Sequence, residues 1–527
     1  MTTDVVFISP SYKPILRHES IGTLILAKKL ELAGYSVKIV RFWEVNKGIY
    51  HEFIDVIRNK ILAEKPKMVC FYCREAEYHI MLDLAHNLKN SNPQLVIVFG
   101  GPQAELTAED TLTTFSWVDY ICCGEGESTI VQLADLVSGN FDYLSRVDIR
   151  GLVYRNENNC IIKNKLPELL KDNYKHDYDY YYDLIPQNIK KNSNSISIDV
   201  GRGCPYMCTF CSTKTFWKRK FRLRDINDTI KEIEYVKQNL GNKVFSFNHD
   251  LFTANKHRVS DFCDNIANLG KQIKWTCSSR IDSVDFQTID TMVNSGLIAI
   301  FFGVETGSKR LQRLIKKNLK IEQCYDIIRY SVSKGLSVTA SFIYGFPDET
   351  YEDLEDSLML IHKLLTIGAN IQLHKLYFER GSELYDKYKR NLIFNSVACN
   401  SVFGAKDSID MIQNNLQIFP NFGEYPSKLR KEMKNLAMLH SICKDHHKAY
   451  VTLLNILSKK TNYVDIYRFL LNTVGNSLDT YEMKGIQVSK SIGCFLFEKI
   501  LANVTSEVGI KTFSLNKSDI EQLHCQS

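Results

Sequence analysis

At 527 residues the chain is longer than one hydrophobic core usually supports, so two or three domains are expected. Its 44% hydrophobic and 24% charged residues are ordinary globular values, and the net charge of +6 (66 basic against 60 acidic residues) is small and not gathered in a tail, so no nucleic-acid partner is expected. The 15 cysteines are scattered, with no signal peptide and no run of eighteen apolar residues, which points to a reduced, cytoplasmic chain without a membrane span.

The first region alternates short β-branched runs at 5–9, 37–41, 68–72 and 95–99 with helical periods at 21–33, 52–63 and 76–88. That alternation predicts a parallel, doubly wound sheet, whose ligands lie beyond the carboxyl ends of the strands. The loops there are 10–19, 73–77, Gly100-Gly101-Pro102 and Gly124-Glu125-Gly126-Glu127. The paired glycines let a flat ring or nucleotide tail approach bare backbone, and the acidic residues of the last loop precede a helix start that favours negative charge. Ser9-Pro10-Ser11-Tyr12-Lys13-Pro14 stands where a dinucleotide-binding fold would carry G-x-G-x-x-G, which argues against that fold. A strand-turn-strand is expected over 151–163, then a tyrosine-rich extended linker over 173–186.

The run 195–200 reads as a strand that delivers Gly201-Arg202-Gly203-Cys204-Pro205-Tyr206-Met207-Cys208-Thr209-Phe210-Cys211. Three thiolates spaced C-x-x-x-C-x-x-C suit an iron-sulfur cube with one iron left open. A zinc knuckle is the alternative, but it wants a fourth ligand, and no histidine lies between Asp177 and Lys243. Five more strands are expected at 244–248, 273–277, 298–303, 337–344 and 371–376, with helices at 227–240, 258–269, 285–295, 321–334 and 351–366 between them. Their carboxyl ends carry Asn248-His249-Asp250, Ser278-Ser279-Arg280, Gly303-Val304-Glu305, Tyr344-Gly345-Phe346-Pro347 and His374-Lys375. His249 and Asp250 are candidates for moving a proton, and Cys277 for donating a hydrogen atom. The basic run 218–224 either steers an anionic substrate toward the cysteines or is a solvated loop. Beyond 390 the chain reads as mostly helical, clearest at 432–443, 450–457 and 464–471, and is expected to close over the substrate.

With Phe210 just before the third cysteine, the motif resembles the radical S-adenosylmethionine (SAM) superfamily. The resemblance implies a partial (β/α)6 barrel and a [4Fe-4S] cluster on Cys204, Cys208 and Cys211, with SAM on the open iron, cleaved to a 5′-deoxyadenosyl radical. It also implies SAM contacts from Phe210, Ser279, Arg280, Gly303, Glu305, Tyr344 and Gly345. The opening, Pro10-Ser11-Tyr12 with Gly22, Leu26-Ala27, Leu30 and Gly34, and the G-G-P and G-E-G-E segments, resemble the cobalamin-binding domain of B12-dependent radical SAM enzymes. That resemblance implies cobalamin against Pro10, Gly100, Gly101, Pro102, Gly124, Glu125 and Gly126. The D-x-H-x-x-G motif is absent, so no protein histidine on cobalt is expected. A methylthiotransferase would need a second three-cysteine cluster near its start, and the first cysteine here is Cys70. The segment from Leu376 to Tyr385 lacks the prolines that relatives tend to carry. The expected fold class is therefore α/β: a Rossmann-like cobalamin-binding domain over 1–145, a hairpin and linker over 146–191, a radical SAM barrel over 192–390 and a helical substrate-associated region over 391–527. The expected activity is a cobalamin-dependent methyl transfer to an unactivated carbon of a natural product, peptide or lipid. A radical rearrangement, oxidation or cyclisation and a non-catalytic cofactor-binding protein are the alternatives. The expected partners are a small-molecule or peptide substrate and a one-electron donor such as flavodoxin or ferredoxin.

Overall fold

The computed structural model describes residues 3–45, 48–139, 145–176, 181–270, 273–400, 402–427, 429, 447–483 and 490–524, with backbone alone at 475–483, 490–496, 507 and 524. The helix expected over 432–443, and Cys443, Cys525 and the Cys494 side chain, lie outside the described residues.

The first sheet holds β1 (Val5–Ser9), β2 (Val37–Arg41), β3 (Met68–Tyr72), β4 (Val96–Gly100), β5 (Tyr120–Cys122), β6 (Leu152–Arg155) and β7 (Ile161–Lys163) in the order β2-β1-β3-β4-β5-β6-β7. The first five are parallel, as their nearly continuous apolar burial requires. The hairpin expected over 151–163 forms, and it extends this sheet antiparallel from β5. Helices Ile21–Leu32, Tyr50–Ala63 and Tyr78–Ser91 return the chain; the first starts on Ser20, whose hydroxyl accepts the Thr23 N–H. In the linker, Tyr174, Tyr181 and Tyr182 are buried, and the Tyr182 hydroxyl donates to Glu232 at 2.5 Å, so this aromatic segment straps the two halves together.

The second half holds β8 (Ser195–Asp199), β9 (Gly201–Arg202), β10 (Arg222–Leu223), β11 (Val244–Asn248), β12 (Lys274–Ser279), β13 (Leu297–Glu305), β14 (Ser337–Tyr344) and β15 (Asn370–Lys375). Six of these form a parallel sheet in the order β15-β14-β13-β12-β11-β8, with helices on the outside. β9 and β10 form a separate short hairpin. The strands and helices expected over 195–376 are all present, with ends that match or shift by at most two residues.

The C-terminal region does two things. Cys399, Ala405, Ile412, Ile418, Phe419 and Phe422 complete the core on one face of the first sheet. Helices His447–Leu457 and Tyr463–Met483 instead dock on barrel helix Tyr351–Thr366, where Glu355 accepts the N–H groups of Tyr463 and Val464 at 2.7 and 2.8 Å. These helices thus lie on the outer, helical side of the barrel. Among the described residues no helix is long and apolar enough to cross a membrane.

Candidate active site

The cysteine loop hangs from the β9–β10 hairpin, with Arg202 opposite Arg222. Gly203 sits at φ +88, where a Cβ would stand 2.0 Å from the Lys220 carbonyl oxygen, so only glycine closes the stem. Asp250 accepts the Gly203 N–H at 3.1 Å. Mid-loop, Thr209 donates its N–H to the Ile315 carbonyl at 3.0 Å and accepts from the Leu384 N–H at 2.8 Å, which pins the loop to two other segments. The three cysteines are free and half-buried. Burial holds the Cys204 thiol above its usual range and, aided by nearby Glu379, pushes Cys211 up to about 12, whereas metal ligation removes a thiol proton outright. Among the described residues no three His, Cys, Asp or Glu side chains converge on a single metal ion. Three thiols on one loop fit a cubane with an open iron better than a four-ligand zinc site.

Beside the loop lie most of the residues expected to meet SAM. Arg280 stacks on Tyr206 at 3.7 Å, reaches the Cys208 sulfur at 3.6 Å, and donates to Asp282 and to the Lys317 carbonyl at 2.7 Å. Glu305, at φ +71 after a register shift between β13 and β14, curls back over Gly303. A Cβ on Gly303 would meet its Oε1 at 2.3 Å, and Lys317 grips the same oxygen at 2.7 Å. The turn after β14 puts Tyr344 and Gly345 near Phe210, whose ring meets Phe346 edge-on at 6.1 Å. Ser279 faces another way: its hydroxyl is shared with Thr253 at 2.6 Å and reaches the Arg280 carbonyl at 3.1 Å, so it braces the strand end.

Sequence reading missed Lys317 and Glu349. Glu349 accepts the N–H groups of Gly345 and Phe346 at 2.7 and 3.1 Å, and burial outweighs those bonds, raising its carboxyl to about 8. Because the folded carboxyl holds its proton longer than the unfolded one, the contribution of Glu349 to stability is greatest below pH 4.5 and falls as pH rises toward 8, at up to about 1.4 kcal/mol per pH unit. Glu349→Gln is expected to flatten that fall, measured as urea midpoints between pH 5 and 8.

A cavity of about 630 Å³ opens between the two sheets. One wall is Tyr72, Gly100, Gly101, Pro102, Gly124, Glu125 and Gly126 at the carboxyl ends of β3 to β5; the other includes Arg202, Ser212, Thr213, Trp217, Asn248, His249 and Asp250. The glycine loops and the cysteine loop therefore share one space. Gly101, at φ +96, has no room for a side chain: a Cβ would meet the Tyr72 ring at 3.0 Å and the Cys73 carbonyl at 2.9 Å. Bare backbone against an aromatic wall is the surface a flat macrocycle requires, so the cavity fits cobalamin. Pro10 does not line it; its carbonyl accepts from Arg74 at 3.3 Å.

His249 and Asp250 reach the cavity; Asp250 is engaged by the Gly203 N–H, and His249 is engaged through Nδ1, its buried Nε2 having no partner among the described residues. Burial drives the His249 imidazole down to about 4, Nδ1 accepts the Leu251 N–H at 3.1 Å, and the ring lies against Gly201, where a Cβ would touch it at 2.8 Å. The histidine is neutral at physiological pH and fastens the hairpin. Burial also holds the Asp250 carboxyl above its usual range, while its bond to Gly203 orients the cysteine loop. Cys277 is buried with its thiol pushed well up, as an inert core residue.

Glu125, expected at cobalamin, binds two arginines as well as facing the cavity. It accepts from Arg202 at 2.8 Å, from Arg222 at 2.9 Å on both oxygens, and from the Leu170 N–H at 2.5 Å. The side chains of Glu125, Arg202 and Arg222 are 5%, 12% and 5% exposed, so this is a buried ionic knot joining the first sheet to the cysteine hairpin.

Comparison with known proteins agrees with this geometry. The B12 binding domain matches residues 15–134 and the radical SAM superfamily matches residues 198–361. An uncharacterized methyltransferase of Pyrococcus horikoshii is 32% identical over 279 residues, 52% of this chain and 60% of its own length, less than two thirds of that relative. The anaerobic magnesium-protoporphyrin IX monomethyl ester cyclase of Rubrivivax gelatinosus is 25% identical over 405 residues, 73% of this chain and 72% of its own. In fold, the chain resembles the cobalamin-dependent SAM radical enzyme OxsB, solved with aqua-cobalamin and SAM bound, at a TM-score of 0.65 and 15% identity, over 100% of this chain and 83% of that one. With both domains in that order, the chain belongs to the radical SAM superfamily, in its cobalamin-binding family.

Proposed function

We propose that the protein is a cobalamin-dependent radical SAM methyltransferase that alkylates an unactivated carbon of a small molecule or peptide. One observation carries this reading: the glycine loops of the first sheet and Ser212-Thr213, directly after Cys211, wall the same cavity. When bound, the reduced cluster supplies the electron that cleaves SAM, and cobalamin supplies the methyl group. Cys204, Cys208 and Cys211 hold the cluster. Arg280 keeps a positive charge against Cys208 and would meet the SAM carboxylate, Glu305 beside Gly303 would take the ribose diol, and Phe210 with Tyr344-Gly345 would form the adenine slot. Ser279 steadies Arg280, and His249 and Asp250 hold the loop that carries the cluster. Gly100, Gly101, Pro102, Gly124 and Gly126 receive the macrocycle. Regions 1–145 and 192–390 act as the cobalamin-binding and radical SAM units, with the 151–163 hairpin joined to the first sheet, whereas the described part of 391–527 packs on the first sheet and on the outside of the barrel and does not close over the substrate as expected. The reaction draws single electrons from a donor such as flavodoxin or ferredoxin, in the cytoplasm.

The methyltransferase name of the Pyrococcus relative supports this reading, while the cyclase relative defines the rival outcome. Anaerobically reconstituted protein with SAM, reductant and substrate is expected to yield 5′-deoxyadenosine and S-adenosylhomocysteine together, and a product heavier by one CH2 unit. 5′-Deoxyadenosine without S-adenosylhomocysteine or mass gain would sink methyl transfer.

A second expectation concerns Gly101. A Gly101→Ala change imposes a left-handed backbone on a residue with a Cβ, a strain of about 1–3 kcal/mol, and pushes a methyl group onto Tyr72. The variant is expected to unfold at lower urea and to retain less cobalamin after desalting, read from the corrin absorbance.

A further inference from the structure

The inner face of the barrel sheet identifies the kind of substrate it is built to hold. Asn248 and Ser278 line the cavity, which fixes the direction in which their strands face it. Side chains alternate along a strand, and register partners in a parallel sheet point the same way. From Asn248 the pattern gives Ser246 on β11, paired with Ser197 on β8 and Thr276 on β12. From Ser278 it leads to Phe301 on β13, then Thr339 on β14; the next position, Ser341, pairs with Gln372 on β15. The alternate residues Phe245, Phe247, Trp275, Cys277, Ile300, Phe302, Val338, Ala340 and Phe342 belong to the apolar core, so the two faces are cleanly separated.

The hydroxyls of Ser246, Thr276, Ser278, Thr339 and Ser341 form no hydrogen bond with another described residue, and neither does the Asn248 amide. Serine and threonine elsewhere in this chain cap helices or close turns, as Ser308 and Thr350 do. An array of unused hydroxyls on one concave surface is therefore not a folding requirement. Lys274, which shares the face by alternation with Thr276 and Ser278, stands at the amino end of β12; toward the opposite, carboxyl end the face offers no free charge among its described residues. Its carboxylate, Asp199, is occupied by the Tyr174 hydroxyl at 2.9 Å and the Gly201 N–H at 3.3 Å, and the His374 ring meets Gln372 at 3.2 Å.

We propose that this face binds an uncharged, polyhydroxylated small molecule of carbohydrate type, its hydroxyls read by Ser246, Thr276, Ser278, Thr339 and Ser341 and by the Asn248 and Gln372 amides, with Phe301 beneath an apolar ring face. Hydroxyls and planar amides donate and accept at once, as vicinal diols demand, and an aromatic ring suits the C–H face of a pyranose. An apolar lipid would strip water from these groups without replacing it, and a charged ligand beside Asn248 and Ser278 would find no free counter-ion, Lys274 lying at the far end of β12. The inference rests on the proposed function only in taking this face as the substrate site.

Saturation-transfer NMR on the full chain tests it, with methyl α-D-glucopyranoside, myo-inositol and sucrose as polyols, and farnesol and glutamate as apolar and charged probes. At least one polyol is expected to bind, and to bind at least tenfold more weakly to a Thr339→Val/Ser341→Ala/Gln372→Leu variant whose urea midpoint matches the parent. Binding of farnesol or glutamate in preference to every polyol overturns the proposal, as does polyol binding that the triple change leaves untouched, or no polyol binding at all. Reductive SAM cleavage by the parent, measured separately, reports on the radical SAM reading: an active enzyme that ignores polyols refutes the substrate class alone.

Discussion

A Cys208→Ala chain, purified and reconstituted without oxygen, is expected to lack the iron-sulfide absorbance of the parent and to cleave SAM more than about 100-fold more slowly. Loss of supporting residues around a metal commonly costs 10–100-fold, and removing a ligand costs more. The fold should survive, because the loop is held by backbone bonds from Thr209 to Ile315 and Leu384 and by Asp250 on Gly203, none of which involves the sulfur. Far-ultraviolet dichroism identical to the parent, beside absent cluster absorbance, is the combined result expected. A variant that keeps its cluster would show that Cys208 is not a ligand.

Glu125→Ala is expected to have the largest effect on stability, about 3–5 kcal/mol in urea unfolding, because removing one partner of a buried ion pair leaves the other uncompensated. Here the deletion takes from Arg222 its carboxylate partner, leaving it the Leu170 carbonyl with Nε and Nη2 already buried without a partner, while Arg202 keeps Glu127 at 2.8 Å and Asp199 at 3.4 Å. Glu125→Gln keeps the shape and part of the hydrogen bonding, so it should lose less. Equal stability of the alanine variant and the parent would mean that the knot contributes nothing to holding the halves together.

Much of this arrangement was legible in the sequence because it depends on local pattern. β-Branched runs broken by glycine and proline gave the strands of both sheets, and the cysteine spacing and glycine pairs marked the loops that share the cavity. What escaped depends on partners far apart in the chain. Glu125 lies 77 residues from Arg202 and 97 from Arg222, and nothing in a G-E-G-E segment announces two arginines. Lys317 is called to Glu305 by a backbone bulge that no periodicity encodes. The β9–β10 stem is two residues on each side, below what alternation reveals. His249 and Ser279 were read from their place at strand ends, yet burial turned one into a neutral brace and the other into a link in a hydroxyl network. Glu349 was the recoverable omission, since an acidic residue four places after Gly345 and just ahead of a helix can turn back onto the exposed N–H groups of the turn.

Arg202 stands two positions before Cys204, and Glu125 sits between two glycines that face the cavity. One ionic knot thus joins the supports of both reactive centres. In the proposed methyl transfer, the gap a one-carbon unit would cross is then set when the chain folds, before any cofactor or substrate arrives, so the orientation cost of that reaction would be met in advance. Slack in that strut would show as SAM spent without product, a leak in coupling at unchanged cofactor content.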